Sequence, residues 1–423
     1  MTDKQIIREL ARQYMEMATS EKQQKMNRRF QATNDLKIVR PPLMIDEIPW
    51  HQMNIDDELT CLCQEDRARE VELEFRKAIY RWKHFRADTL FEPFYRVHAS
   101  FDTTGYGLQG KTEILRTDDT NTIVSHHYED ILEDEEALDE LFHMPEFTVR
   151  PDKDEEAMNY YTDLLGDSMP VILCGPPFSG WNADYLYFMP WDIIAGLRGM
   201  EPLLFDLYDR PEYMHRIMDK ICAATSAQLD FIEANFHIAV PPAVLHCTPA
   251  YISGLASDGL KATWFRGAAQ GFGSVSPEMH EEFEIDHILP IAERFAYTYY
   301  GCCEPLDKKV GILKKIPNLR KLGVSPWANV DVMAEQIKGD YVYSRKPNPA
   351  NVAIHTDPEV IRKEIEDTVK ACVRYGCPVD FTLKDISTVS HRPENLIVWS
   401  EVASSVLDEY YGIVYSAQFL QIV

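Results

Sequence analysis

Ala296-Tyr297-Thr298-Tyr299-Tyr300-Gly301-Cys302-Cys303-Glu304-Pro305 joins a run rich in β-forming residues to a turn that carries two thiols and a carboxylate. The same plan recurs downstream. Residues 319–324 run into Ser325-Pro326-Trp327, residues 341–343 into Ser344-Arg345-Lys346-Pro347, and residues 378–383 into Lys384-Asp385. Helical patterns fill the intervals, most clearly at 357–375, closed by Gly376, and at 393–411. A short strand, a polar or reactive cluster and a helix, repeated several times, predict successive βα units. Right-handed crossovers make such strands parallel neighbours. A closed barrel gathers their C-terminal ends at one mouth, where the chemistry sits. A doubly wound open sheet has the same local texture.

Upstream, residues 169–176 read as a buried strand ending in a turn, and residues 92–97 and 122–125 as short strands. Helices are expected near 191–200 and 211–235. Ile6, Ile7, Leu10 and Tyr14 fall at helical spacing. Pro41-Pro42 and Pro49 mark a loop, and a second helix is expected over 56–85, with Cys61 and Cys63 on different faces of it. The expected division is a helical extension over 1–89 and a catalytic domain over 90–423.

Composition excludes several classes of function. Hydrophobic residues make up 45% and charged residues 26%, which predicts a large buried core. A net charge of −25 argues against a nucleic-acid partner, because binding phosphates requires a basic surface. The acidic patch at 129–140 reads as a solvated helix and loop, or as a protein-docking surface. There is no apolar run of about 18 residues and no secretory pattern at the start, so a cytoplasmic protein without membrane contact is expected. The nine cysteines, an odd number, are expected to be reduced thiols.

Cys302-Cys303-Glu304 is the strongest chemical signal. Thiolates are nucleophiles and zinc ligands, and a carboxylate completes a tetrahedral set. Two small buried hydrophobes are the alternative reading. His246-Cys247, at the end of a short apolar run, offers further donors; His126-His127 and His98 are weaker candidates. Arg345-Lys346 and Lys384-Asp385 put charges at two other strand ends, for a ligand or for a rim of salt bridges. Gln270 suits the orienting of a ligand. Trp181, Tyr185, Tyr187, Phe188, Trp191, Trp264 and Trp327 offer an aromatic lining for a methylated or cationic ligand, or ordinary core. No dinucleotide fingerprint or phosphate-binding loop occurs.

Several motifs resemble the uroporphyrinogen-decarboxylase superfamily. They are Ala195-Gly196-Leu197-Arg198-Gly199-Met200-Glu201 with residues 206–212, Val275-Ser276-Pro277-Glu278-Met279, Tyr300-Gly301-Cys302-Cys303-Glu304-Pro305-Leu306, Val324-Ser325-Pro326-Trp327-Ala328, Ser344-Arg345-Lys346-Pro347-Asn348-Pro349 and Lys384-Asp385-Ile386-Ser387-Thr388. Together they span about residues 190–405. The resemblance implies an α/β fold, a (β/α)8 TIM barrel of the uroporphyrinogen-decarboxylase type, here with an N-terminal helical extension. It also implies one of two chemistries: cofactor-free decarboxylation of uroporphyrinogen, or zinc-dependent methyl transfer involving a corrinoid protein.

The Arg-Gln-Ala-Gly-Arg-Tyr segment of true decarboxylases is missing, which favours the methyltransferase branch. That branch holds zinc through His-X-Cys and a later Cys. Here Tyr300 stands at the His position, Cys302 at the first Cys, and Leu383 or Lys384 near the later one. Either the site is rebuilt from His246, Cys302, Cys303 and Glu304, or no zinc binds. The expected catalytic residues are Glu304, Arg345, Lys384 and Asp385, and the expected substrate-binding residues Gln270, Trp264, Trp327 and Tyr300. The expected partners are a small methylated substrate, a corrinoid protein and a second copy of the chain in a homodimer. A non-catalytic barrel that delivers a corrinoid or tetrapyrrole is a third reading.

Overall fold

A computed structural model describes residues 1–108, 110, 112–115, 125–128, 130–179, 183–354 and 356–419. Residues 122–124, Trp181 and the side chains of His126 and His127 lie outside the description. The chain opens with helices α1 (Asp3–Thr19), α2 (Glu21–Asn34) and α3 (Asp66–His84). Thr2 and Gln5 start α1 as a reciprocal capping box. The sequence reading missed α2. Its buried positions include Gln23, Thr33 and Asn34 beside Met26 and Phe30, so its apolar stripe is broken. The second expected helix also begins late. Asp56 and Asp57 have φ of 49° and 59°, which a helix excludes. Cys61 and Cys63 therefore lie before α3, and Glu72 accepts the backbone N–H groups of Leu62 and Cys63 there.

Nine of the short strands among the described residues position the site: β1 (Leu43–Ile45), β2 (Tyr95–His98), β3 (Val171–Cys174), β4 (Leu186–Phe188), β5 (Trp264–Gly267), β6 (Tyr297–Tyr300), β7 (Leu319–Val324), β8 (Val342–Arg345) and β9 (Val379–Leu383). Seven of them form one parallel sheet in the order β1-β9-β8-β7-β6-β5-β4. β2 and β3 form a separate parallel pair. Consecutive strands from β5 to β9 are neighbours, as the repeated βα units require. Between β8 and β9 runs α5 (Pro358–Tyr375), which stops at Gly376 in the left-handed region; α6 (Glu394–Phe419) follows β9.

β1 corrects the expected division at residue 89. Leu43, Met44 and Ile45 pair in register with Phe381, Thr382 and Leu383, so the first strand abuts the last. The helices α1 and α3 pack on each other and on α4 (Pro151–Leu165), but the stretch that carries them also supplies a strand of the main sheet.

Strand alternation separates two environments. Phe265, Tyr300, Leu322, Tyr343 and Phe381 face the helices and join the main apolar cluster with Ile361 and Ile365 of α5 and Trp399 of α6. Burying each such side chain contributes roughly 1.5–3 kcal/mol. The opposite face is polar: Arg266, Lys321, Ser344 and Asp380 are all buried there. Against it lies a small antiparallel hairpin, Val244–Leu245 with Thr248–Pro249, whose turn is His246-Cys247. Thr248 and the backbone of Pro249 and Cys247 bond Lys321, Asp380 and Lys346, and this fixes the hairpin to the sheet. No helix among the described residues is long and apolar enough to cross a membrane.

Candidate active site

β6 ends at Gly301, whose φ is 107°. A Cβ there would lie 2.6 Å from Leu306 Cδ1 and 3.3 Å from Gly323 Cα, so the turn admits only glycine. The turn sets the Cys302 and Cys303 sulfurs 3.7 Å apart. Lys384, the first residue after β9, brings Nζ to 3.5 Å from Cys302 Sγ and 3.6 Å from Cys303 Sγ. Asp385 pairs with Lys384 at 2.8 Å, and its Oδ2 lies 3.4 Å from Cys303 Sγ. His246 reaches the Cys302 thiol from the hairpin turn, and its Nε2 lies 3.5 Å from Glu47 just past β1. Four segments far apart in sequence therefore meet: the C-terminal ends of β1, β6 and β9, and the hairpin turn.

The charges are arranged to hold one thiolate. Cys303 donates to Cys302, and His246, Arg266 and Lys384 add to that, so the Cys302 thiol is driven far below its usual range despite burial. Cys303, next to that thiolate and partly buried, is driven upward. Burial alone would release the Lys384 proton, but the surrounding thiols and Asp385 outweigh it and hold the ammonium. Arg266 is fully buried. It donates to the carbonyls of His246 (2.6 Å) and Gly301 (3.3 Å), stacks 4.2 Å from the Tyr187 ring, and has no carboxylate partner among the described residues. Deeper in, Lys321 and Asp380 form a 2.8 Å pair with both side chains at 0% exposure, and Ser344 donates to the same carboxylate.

Behind the thiols lies a set of buried acids. Glu304 accepts the Cys302 N–H at 3.1 Å through Oε2, while Oε1 has no hydrogen-bond partner. Burial, then the Cys302 thiolate, pushes its carboxyl up to about 8. Burial likewise pushes Glu284 up to about 8 and Asp192 up to about 7. Glu284 sits in a π-helical turn (Glu281–Ile285), an element often found at functional sites. His280 Nε2 lies 2.7 Å from Tyr300 Oη and 3.4 Å from Glu284, and its Nδ1 is 3.1 Å from Lys309.

The structure brings Cys302, Cys303, Lys384, Asp385 and His246 together, with Glu304 beside them. It does not bring Arg345, which alternation points to the helices; there it donates to the Ser325 carbonyl and pairs with Glu364 of α5. Tyr300 also faces the helices and bonds His280, so Tyr299, not Tyr300, faces the polar interior. Trp264 is fully buried at the start of β5, against Ala250 and Tyr297, roughly 10 Å from the strand end at about 3.3 Å per residue. Trp327 lies in the loop after β7 with 70% of its surface exposed. Gln270 shares Met189 Sδ with Arg266 and lies at the rim.

Of the expected zinc set, Glu304 is turned toward the Cys302 backbone, and Lys384 already sits against both thiols. That quartet does not converge on one point. The sequence reading passed over Glu47 and Arg266; it offered Cys247 beside His246 as a further donor but left it out of the expected zinc set. Arg266 left a signal, a lone charge within the strand run Trp264-Phe265-Arg266-Gly267.

No protein-family model matches this chain, and no curated protein sequence matches it. Among solved structures, a methyltransferase from Methanosarcina mazei aligns with TM-score 0.50 over 91% of this chain and 99% of that one, at 11% identity. A Haloferax volcanii malate synthase in a lead(II) complex aligns over 60% of this chain and 61% of that one, with 10% identity and TM-score 0.22, too low to carry an argument. The chain thus shares an α/β fold with a methyltransferase over nearly its whole length.

Proposed function

We propose that the protein is a methyltransferase that moves a methyl group from a small O-, N- or S-methylated donor to a corrinoid carried by a partner protein. One observation carries this reading: the buried Cys302 sulfur lies 3.5 Å from Lys384 Nζ at the C-terminal strand ends, a setting that favours the thiolate. The shared fold with the M. mazei methyltransferase supports it. We also propose that the β2–β3 pair fills the interval between β1 and β4 and closes a (β/α)8 barrel of the uroporphyrinogen-decarboxylase type. The pair lies between those two strands in chain order, and β1 already abuts β9.

In this reading the donor's heteroatom enters beside Lys384. As the carbon–heteroatom bond breaks, its electron pair stays on the heteroatom and the methyl group passes to the cobalt. The fixed ammonium of Lys384, itself only 3% exposed, stabilises the charge that develops. Glu304, protonated near neutral pH, supplies the proton that the departing group takes up. Asp385 orients Lys384.

Arg266 favours a second reading. A buried guanidinium without a carboxylate partner suits a carboxylate on the substrate, as in uroporphyrinogen decarboxylation. Two parallel incubations separate the readings: reduced corrinoid with methylated donors, and uroporphyrinogen alone. Methyl–cobalt formation in the first supports methyl transfer; coproporphyrinogen in the second, with silence in the first, supports decarboxylation.

A further inference from the structure

We infer that Glu47, His246 and Cys247 form a site for a zinc-like divalent cation, distinct from the Cys302–Cys303 pair. One donor atom of each residue lies within 4.8 Å of the other two, the only such trio of His, Cys and acidic residues among the described residues. One nitrogen, one sulfur and one oxygen suit zinc or cobalt(II), whereas magnesium and calcium call for oxygen ligands. Three protein donors leave a fourth tetrahedral position open.

The surrounding bonds hold these donors in place. Glu47 Oε2 accepts the Asp385 N–H at 2.8 Å, which leaves Oε1 facing His246 at 3.5 Å. The turn that carries the other two donors is pinned by its backbone. The His246 N–H donates to Tyr185 Oη at 2.8 Å, and the His246 carbonyl accepts from Arg266 at 2.6 Å. Lys346 donates to the Cys247 carbonyl at 2.7 Å. None of these three bonds uses a ring nitrogen of His246 or the Cys247 sulfur, and the imidazole also reaches Cys302. Such outer-shell support is what positions metal ligands in built sites. Glu47 is solvent-accessible and Cys247 buried, so a cation enters from the Glu47 side. The inference stands whether or not methyl transfer is the reaction.

The test is metal binding on the full chain, stripped with chelator and titrated with zinc or cobalt(II). We expect about one equivalent, with a thiolate-to-cobalt charge-transfer band, by analogy with structural and catalytic sites of this donor type. Cys247→Ser should abolish the band. Cys247→Ser and Glu47→Gln should each weaken binding by at least the ~10–100-fold that loss of an outer-shell partner costs. Cys302→Ser/Cys303→Ser should keep both band and stoichiometry. Glu47→Gln, at an accessible position, keeps the test decisive should Cys247→Ser fail to fold. Absence of binding in the unsubstituted protein would overturn the inference. So would loss of the band in the Cys302–Cys303 double variant together with its retention in Cys247→Ser, or unchanged affinity in Glu47→Gln.

Discussion

Lys384 and Cys302, 82 residues apart in the chain, meet with Nζ 3.5 Å from Sγ. Cys303 completes the group as the donor to the Cys302 sulfur. Cys63, Cys174 and Cys222, by contrast, are pushed up by burial to about 12, 11 and 12. A small alkylating agent at about pH 6, well below an ordinary thiol's range, should therefore modify the Cys302–Cys303 pair and spare those three. Lys384→Met should slow that modification and make it rise with pH. Peptide mass mapping across pH checks this. A free-thiol pH profile at the pair in the unsubstituted protein would contradict it.

The buried acids set a pH dependence of stability. Burial raises Glu304, Glu284 and Asp192 above their unfolded values, to about 8, 8 and 7. Between the ordinary carboxylate range and these values the folded state binds more protons than the unfolded state. Their contribution is fully present below the unfolded values and is lost as pH rises through about 7 to 8. Melting temperature should fall over that window, and Glu284→Gln should make the fall shallower. A melting temperature that rises from about pH 5 to pH 8 in both proteins would contradict the assignment.

The paired charges of Lys321 and Asp380 allow a plainer test. Both are fully buried, and the hairpin's Thr248 bonds to each. Lys321→Met leaves the carboxylate without its main partner and should cost about 3–5 kcal/mol in denaturant unfolding. Replacing both residues by apolar ones should recover part of that loss. A single-variant cost within the usual ±0.5 kcal/mol of a surface change would show that the pair is not buried as described.

Much of the fold was legible because parallel strands buried on both faces leave short β-rich runs with reactive ends. The runs at 319–324 and 378–383 fall within a residue of β7 and β9. β1 was not legible. Three residues, Leu43–Ile45, carry too little pattern, and their pairing with Phe381–Leu383 is a long-range fact. The thiols, Lys384 and His246 were read from strand ends alone. Arg345 and Tyr300 were misplaced because strand alternation, one residue off, sends a side chain to the helices instead of the interior. Glu47 has φ of 49°, a local geometry that no residue pattern around it announces.

The β1 pairing makes a truncation informative. Asp88 accepts the Leu43 N–H and donates to the Leu43 carbonyl, and Arg29 pairs with Asp88, so residues 1–89 are stitched to the sheet. A fragment beginning at residue 90 would expose the β9 edge and should aggregate. A soluble monomeric fragment with the near-ultraviolet circular dichroism of the full chain would contradict this.

Methyl transfer itself is tested most directly with isotopically labelled donors: methoxylated aromatics, methylamines and methyl thiols, each with Co(I) corrinoid. Unsubstituted protein should pass label to cobalt from at least one donor class. Lys384→Met and Cys302→Ser, folded by circular dichroism, should lose about 10²-fold or more of that rate, the usual scale for removing a fixed electrostatic stabiliser. No label transfer from any donor, together with conversion of uroporphyrinogen to coproporphyrinogen by the same preparation, would contradict it.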